Sequence, residues 1–417
     1  MGQLHSSKPN DLASSFDKFF KTYHVESQII SKKTVTLIKS QLKKGNVQMA
    51  VSSISDALRD IENAPMSIAV TGETGAGKSS FINALRGVGH QGKGAASTGV
   101  VETTHKCTKY QHEKFPNVIL WDLPGIGTTN WRPKKYLKKT KFGKYDFYII
   151  ISATRFKKND AQLAIAVQKM KKKFYFVRSK IDLDLQNEER CKPNSFNKER
   201  ILQEIRDNCL YNLQKANVKK PQVFLVSNFD VSDYDFPNLE TTLRRQLPAH
   251  KRYIFMLCLP SVTEAAIDWK RDSLKQKVWL EALKAGVSTT KPSKVCVSDN
   301  VNSLEDTLTL YRSYFGLDDP SLENMAEDLG VSVEQLKACI KSLHLLTVKN
   351  EDESLEEKLL KYIEIVCANT ERHNATGLYF RNTFYLQYHF LDTVASDAKA
   401  LLKKEELFTS KVDTTQF

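Results

Sequence analysis

Residues 72–79 read Gly-Glu-Thr-Gly-Ala-Gly-Lys-Ser, directly after the apolar run Met66-Ser-Ile-Ala-Val70 and just before a helical pattern over Ser80–Arg86. This order of strand, glycine loop and helix restricts the chain's fold more than any other feature. The glycines let successive backbone N–H groups converge on an anion at a helix N-terminus, where the helix dipole also favours negative charge. In this GxxxxGK[ST] spacing, Lys78 is placed to reach β- and γ-phosphates and the Ser79 hydroxyl to ligate Mg²⁺. Gly72, Glu73, Thr74, Gly75, Ala76, Gly77, Lys78, Ser79 and Ser80 therefore form the expected phosphate site. A random chain of this length carries the bare pattern roughly one or two times in a hundred, and the flanking strand and helix lower that further.

The texture on either side sets the architecture. Apolar runs recur at Val118–Trp121, Tyr145–Ile151, Phe174–Val177 and Val223–Ser227, with helical patterns at Asn159–Met170 and Lys198–Leu213 between them. Buried strands alternating with helices predict a mostly parallel sheet. Residues 12–64 and the segments 262–284, 301–315, 320–329, 332–343, 355–368 and 376–404 instead repeat apolar positions near every 3.6 residues. The fold class is α/β: a P-loop domain (65–247) inserted in an all-α domain built from an N-terminal helical region (1–64) and a C-terminal one (248–417).

Two further constellations extend the phosphate site. Trp121-Asp122-Leu-Pro-Gly125-Ile126 ends an apolar strand with a carboxylate suited to a Mg²⁺-linked water, and Gly125 offers a backbone N–H to a γ-phosphate. Ser179-Lys180-Ile181-Asp182 follows the strand 174–177. A carboxylate at Asp182 can accept from both the ring N–H and the exocyclic amine of guanine, a pair that adenine lacks, and buried polar groups left unpaired reject the wrong base. The usual guanine-reading form has Asn or Thr where this chain has Ser179, so the base site is expected to be tethered by a shorter side chain. Ser227-Asn228, at the end of the last strand, stands where a backbone N–H meets the guanine oxygen.

Charge adds a second theme. Sixty-two Lys+Arg against 48 Asp+Glu give 62 − 48 = +14. Seven basic residues and no acidic one fall within 132–144, and Lys171–Lys173 form a shorter run. No recognition helix or stacking motif accompanies them, so nucleic acid is not the expected partner. The expected partner is an anionic membrane, and the plainer alternative is a solvated helix that binds nothing. The start, Met-Gly-Gln-Leu-His-Ser, matches the N-myristoylation pattern with Gly2 as acceptor, and one acyl chain needs a second contact for stable anchoring. Leu355, Leu359, Leu360, Ile363 and Val366 make an amphipathic stripe, read as a core face ahead of a membrane face. No run is long enough to span a bilayer. The seven cysteines show no CxxC spacing and the histidines no ligand spacing, so no metal is expected beyond nucleotide-bound Mg²⁺.

Taken in order, these residues resemble the immunity-related GTPases, the interferon-inducible p47 GTPases, in their Gly-Lys-Ser subgroup and its myristoylated members. The likeness rests on Val70–Asn83, Gly94–Thr104, Trp121–Gly127, Ile150–Phe156 and Tyr311–Asp318, and it covers essentially the whole chain. It implies a Ras-like, dynamin-like G domain that hydrolyses GTP to GDP with Mg²⁺. It also implies GTP-dependent self-association through the nucleotide face, other family GTPases as regulators, and a cytoplasmic protein held peripherally on endomembranes, pathogen-containing vacuoles or bacterial membranes. Thr98-Gly99-Val-Val-Glu102-Thr-Thr104 corresponds to the first switch, a polar loop whose hydroxyls can sense Mg²⁺ or γ-phosphate; Thr98 joins Ser79 as an expected ligand. The resemblance places Thr98 and Glu102 where two nucleotide sites meet. Small regulatory GTPases carry a water-orienting Gln after Asp-x-x-Gly, whereas this chain has Ile126. The catalytic group is accordingly read as Lys78 and Thr98 with a backbone group, Glu73 or a partner-supplied element, the last at a composite site with Glu102. Two alternatives stay open: a GTP-gated scaffold whose hydrolysis only times an interaction, and an ordinary cytosolic NTPase.

Overall fold

The 3.6-residue apolar spacing of the first sixty residues produces α1 (Pro9–Lys21), α2 (Lys32–Lys43) and α3 (Val47–Glu62), in a computed structural model. The residues described are 9–89, 92, 94–99, 106–126, 133–288, 301–348, 354–369 and 382–412. The Ser31 hydroxyl caps α2 by accepting from Thr34 N at 3.0 Å. Helix α3 turns Ala50, Ile54, Ala57, Leu58 and Ile61 inward, one stripe of a 3.6-residue repeat.

Then the period changes. The segment from 65 to 246 is one unit, and residues 1–64 with 247–417 are the other. Its elements are β1 (Met66–Gly72), α4 (Lys78–Arg86), β2 (Thr108–Gln111), β3 (Val118–Asp122), α5 (Pro133–Lys139), β4 (Phe147–Ser152), α6 (Lys158–Lys169), β5 (Lys173–Arg178), α7 (Ile181–Cys191), α8 (Lys198–Lys215), β6 (Val223–Leu225) and α9 (Phe236–Gln246). The sheet order is β2-β3-β1-β4-β5-β6. All neighbours are parallel except β2, which runs antiparallel to β3. Parallel pairing brings the carboxyl ends of β1, β3, β4, β5 and β6 to one edge, where ligands of open α/β sheets bind. Every residue of β4 is buried, as a strand covered on both faces requires. Strand β2 escapes sequence reading because Thr-Lys-Tyr-Gln has no apolar run and lies mostly exposed at the sheet edge. Helix α7 escapes for a similar reason, since only Ile181 and Leu185 are buried.

The helical unit continues with α10 (Ala249–Cys258), α11 (Glu264–Ser288), α12 (Val301–Tyr314), α13 (Asp319–Leu329), α14 (Val333–Lys337), α15 (Leu355–Asn369) and α16 (Asn382–Val412). Both chain ends share its core. Trp279 of α11 stacks on Phe19 of α1, with centroids 4.4 Å apart and planes 9° apart, and Phe16 and Phe20 pack around it. The Gln276 side chain accepts from Ile29 N (3.1 Å) and donates to Ser27 O (3.0 Å), which fixes the same junction by hydrogen bonds. The helix expected over 332–343 is shorter than its apolar pattern suggests. The Asp397 carboxylate accepts from Lys341 N and Ser342 N at 3.1 and 2.7 Å, holding a 3₁₀ turn over Lys341–His344. The stripe on α15 also divides: Leu359 and Val366 are buried, Leu355 and Ile363 half-buried, and Leu360 exposed. No helix among the described residues is long and apolar enough to cross a membrane.

Candidate nucleotide site

The phosphate loop connects β1 to α4. Gly77 is the N-cap of α4 at φ +85°, and Gly75 has φ +77°, conformations that glycine adopts without a Cβ penalty. Glu73, Thr74, Gly75 and Ala76 wrap the turn, with Ala76 N bonded to Glu73 O at 3.2 Å. The Lys78 ammonium is folded back onto the Glu73 carbonyl at 3.0 Å and is largely buried. Ser79, with Ser80 beside it on the first turn of α4, donates its hydroxyl to Asp122 Oδ2 at 2.6 Å. A hydroxyl and a carboxylate brought together at a phosphate loop are hard oxygen donors, which is the chemistry Mg²⁺ selects. The residues present fit that ion.

Asp122 ends β3, and the chain then turns against the phosphate loop. Ile126 N donates to Gly72 O at 3.0 Å, and Thr74 N donates to Ile126 O at 3.3 Å. Between them Gly125 passes so close that a Cβ there would lie 2.2 Å from Thr74 Oγ1 and 3.0 Å from the Thr74 backbone. The Ile126 side chain is fully buried among Leu123, Tyr136 and Tyr148. It therefore belongs to the core.

The base end is built from β5, β6 and α7. Ser179 is fully buried, and its hydroxyl donates to the phosphate-loop carbonyl of Ala76 at 2.7 Å. Asn228 Nδ2 donates to Gly77 O at 3.1 Å, a second tether to the same loop. Lys180 is exposed in the left-handed region at φ +60°. Asp182 follows, and its Oδ1 is buried without a hydrogen-bond partner. A buried acceptor with no donor is unfavourable by about 1–3 kcal/mol, so this oxygen suits a donor brought by a ligand. The Ser227 hydroxyl accepts from Phe229 N and Asp230 N, both at 3.2 Å, so it shapes the loop.

Several contributors carried no sequence signal because their partners are backbone atoms or lie far along the chain. Asn83 Nδ2 and Oδ1 grip Ala96 O and N at 3.0 and 2.7 Å, and Arg86 donates to Gly94 O at 2.9 Å. Helix α4 thereby anchors the stretch leading to Thr98 and Gly99, both exposed. The Lys157 ammonium pairs with the Glu73 carboxylate, which Asn159 also approaches at 3.4 Å. Behind them Asp160, fully buried, accepts from Ser152 Oγ and Lys157 N at 3.1 and 3.0 Å. Burial, reinforced by the Glu73 charge, pushes its carboxyl up to about 6 despite those two bonds. Glu102, Thr103, Thr104 and Gly2 lie outside the described residues.

The basic segment is amphipathic. Tyr136 and Phe142 are core residues, while Lys135, Lys138, Lys139, Lys141 and Lys144 are exposed. The Tyr136 hydroxyl lies 2.7 Å from Thr71 Oγ1 and donates to Pro124 O at 3.1 Å. The Lys172 ammonium donates to Tyr145 O at 2.8 Å, which brings the second basic run up to the end of the first.

The model of one protein family, Interferon-inducible GTPase (IIGP), matches residues 31–405. The mouse "Interferon-gamma-inducible GTPase 10" is 56% identical over 417 residues, spanning 99% of this chain and 100% of its own length. The mouse "T-cell-specific guanine nucleotide triphosphate-binding protein 2" is 58% identical over 400 residues, 96% of each chain. The mouse "Interferon-inducible GTPase 1" is 46% identical over 409 residues, 97% of this chain and 99% of its own.

Proposed function

Because the chain belongs to the interferon-inducible GTPase family and binds and hydrolyses GTP, we propose that it self-assembles in the GTP state and acts, in a dynamin-like way, on pathogen-containing vacuole or bacterial membranes in cell-autonomous immunity. The carrying observation is the full burial of Ile126. With that side chain in the core, position 126 itself does not orient water, and hydrolysis is completed by a neighbouring copy. Glu102 and Thr98, from the first switch, are our assignment for that shared surface, with Glu73 as the contribution in cis.

Within one site the residues divide by chemistry. The backbone N–H groups of 75–79 and the Lys78 ammonium hold the β- and γ-phosphates, and Gly125 N–H meets the γ-phosphate. Ser79 and Thr98 hold Mg²⁺, with Asp122 acting through water; the ion would neutralise charge on the β- and γ-oxygens. Asp182 reads guanine, and Ser179 and Asn228 keep its edge in register with the phosphate loop. Gly2 myristate and the exposed lysines of 135–144 hold the protein peripherally on anionic membranes, at about 1 kcal/mol per lysine near the surface. Other GTPases of the family are its expected regulators.

Light scattering tests the assembly directly. Myristoylated protein with GTP and Mg²⁺ should scatter increasingly and GDP should not. Glu102→Ala should abolish both the rise and the concentration-dependent acceleration of turnover. A Glu102→Ala protein that assembles and turns over normally overturns the composite site. Gly2→Ala protein that still pellets with phosphatidylserine vesicles overturns the anchoring.

A further inference from the structure

We propose that Phe229 is a further base-binding residue of the nucleotide site, its ring stacking on one face of the guanine that Asp182 reads along its edge. The assignment rests on the reading of Asp182 as the guanine acceptor and adds the group that holds the base flat.

Phe229 is 71% exposed, the largest exposure among the big apolar side chains described. It is also held in place. The Ser227 hydroxyl accepts from its N–H and from that of Asp230, which closes a tight turn directly after β6. The turn is bracketed by the base slot on both sides. One residue earlier, Asn228 donates to the phosphate-loop carbonyl of Gly77. One residue later begins the loop 230–234, which borders Asp182: the Tyr234 phenol is pushed up by burial and then by the charges of Asp233, Asp230 and Asp182. Ile181 N also donates to Val226 O at 3.3 Å, which seats the start of α7 against the exit of β6. The turn that carries the Phe229 ring is thus seated beside the phosphate loop through Asn228 and beside the start of α7, one residue before Asp182, through Val226.

The chemistry there fits a purine. Lys180, exposed in its left-handed conformation, offers a four-carbon apolar stem for one face of the base. Phe229 offers a π surface for the other. Base–aromatic stacking holds a base whatever its edge offers, and covering the base strengthens the charge-assisted bonds at its edge by excluding water. Stacking tolerates any base, whereas Asp182 discriminates. The ring therefore raises affinity for guanine nucleotides by retaining a base that Asp182 has already selected.

The test is GDP binding, which involves no assembly. Phe229→Ala should raise the GDP Kd about tenfold, chiefly through faster release, and Phe229→Tyr should restore it. Tripolyphosphate, which occupies the phosphate loop without a base, should bind wild type and Phe229→Ala equally. A GDP Kd within twofold of wild type overturns stacking, and so does an equal loss for tripolyphosphate. Loss of GTP-driven scattering with normal GDP binding would likewise overturn it, and would assign the ring to the contact between copies. Asp182→Asn, measured alongside, separates the two levels. If it leaves GDP binding unchanged, the base-site reading itself fails. If it weakens GDP and favours xanthosine diphosphate while Phe229→Ala changes nothing, only the stacking fails.

Discussion

The Ser179 hydroxyl donates to the Ala76 carbonyl at 2.7 Å, joining the strand that leads to Asp182, our proposed base reader, to the glycine loop proposed to cradle the phosphates. Both groups are buried. A short side chain at this position is thus not a weak tether, because the backbone comes close enough for a serine to span the gap. Ser179→Ala leaves the Ala76 carbonyl without this donor, a loss of about 1–3 kcal/mol. We expect GTP and GDP affinities to fall together by roughly 5- to 100-fold, since the tether serves base and phosphate ends alike. Isothermal titration with both nucleotides checks this; a loss confined to GTP would refute it.

Gly125 lies against Thr74 with no space for a side chain. In Gly125→Ala the new methyl would contact the Thr74 backbone, so the loop after β3 must move off the phosphate loop and carry Asp122 with it. The expected result is retained folding, GDP binding weakened by less than tenfold, and turnover reduced at least a hundredfold. Stopped-flow binding with single-turnover hydrolysis separates the two. Normal turnover would mean that this approach is not part of the hydrolytic geometry.

Much of this architecture was legible because the strongest signals are local. The phosphate loop, the apolar runs of β1, β3, β4, β5 and β6 and the helical period of the chain ends each lie in a single window. The unread parts are relational. Strand β2 has no apolar pattern because it lies exposed at the sheet edge, and α7 buries only two residues. Asn83 and Arg86 look like ordinary helix residues until residues 94 and 96 are seen to pair with them. Leu360 fits the apolar stripe of α15 by spacing, yet it is exposed while Leu359 and Val366 are buried. Asp160 belongs to the same class, an unremarkable helix-start carboxylate whose partners Ser152 and Lys157 come from a strand end and a loop.

In the helical unit, Trp279 is the test of whether both chain ends form one core. It stacks on Phe19 and contacts Phe16 and Phe20, all from the N-terminal segment. Trp279→Ala removes those contacts at once and is expected to destabilise the unit by about 3–5 kcal/mol. Phe19→Ala should cost a similar amount, and the double variant less than the sum, because the two side chains fill one space. Urea midpoints for the four proteins check this. Strict additivity would show that the segments fold independently.

Asp160 makes the stability of the nucleotide unit depend on pH in a direction opposite to that of most carboxylates. Its folded value is about 6 against an ordinary 3.8, with burial as the principal cause and the Glu73 charge as an additional one. As pH rises between those values, the unfolded chain gives up its proton first. The unfolded state therefore binds fewer protons across the window, and folding stability falls with rising pH. The contribution is fully present below about pH 4. It is lost through pH 6, a span of about two pKa units and so about 3 kcal/mol. A paired carboxylate such as Asp17, whose value is lowered first by its bonds to Lys21 and Lys39, pulls the other way as pH falls. The difference between wild type and Asp160→Asn isolates the buried group. Asparagine keeps an acceptor for Ser152 Oγ and Lys157 N but cannot ionise. Relative to wild type, the variant should therefore gain up to about 3 kcal/mol between pH 4 and pH 6 and hold that gain above pH 7. Urea denaturation at pH 4.5, 5.5 and 7.0 measures the trend, and a difference that stays flat over that range would show that Asp160 ionises without penalty where it lies.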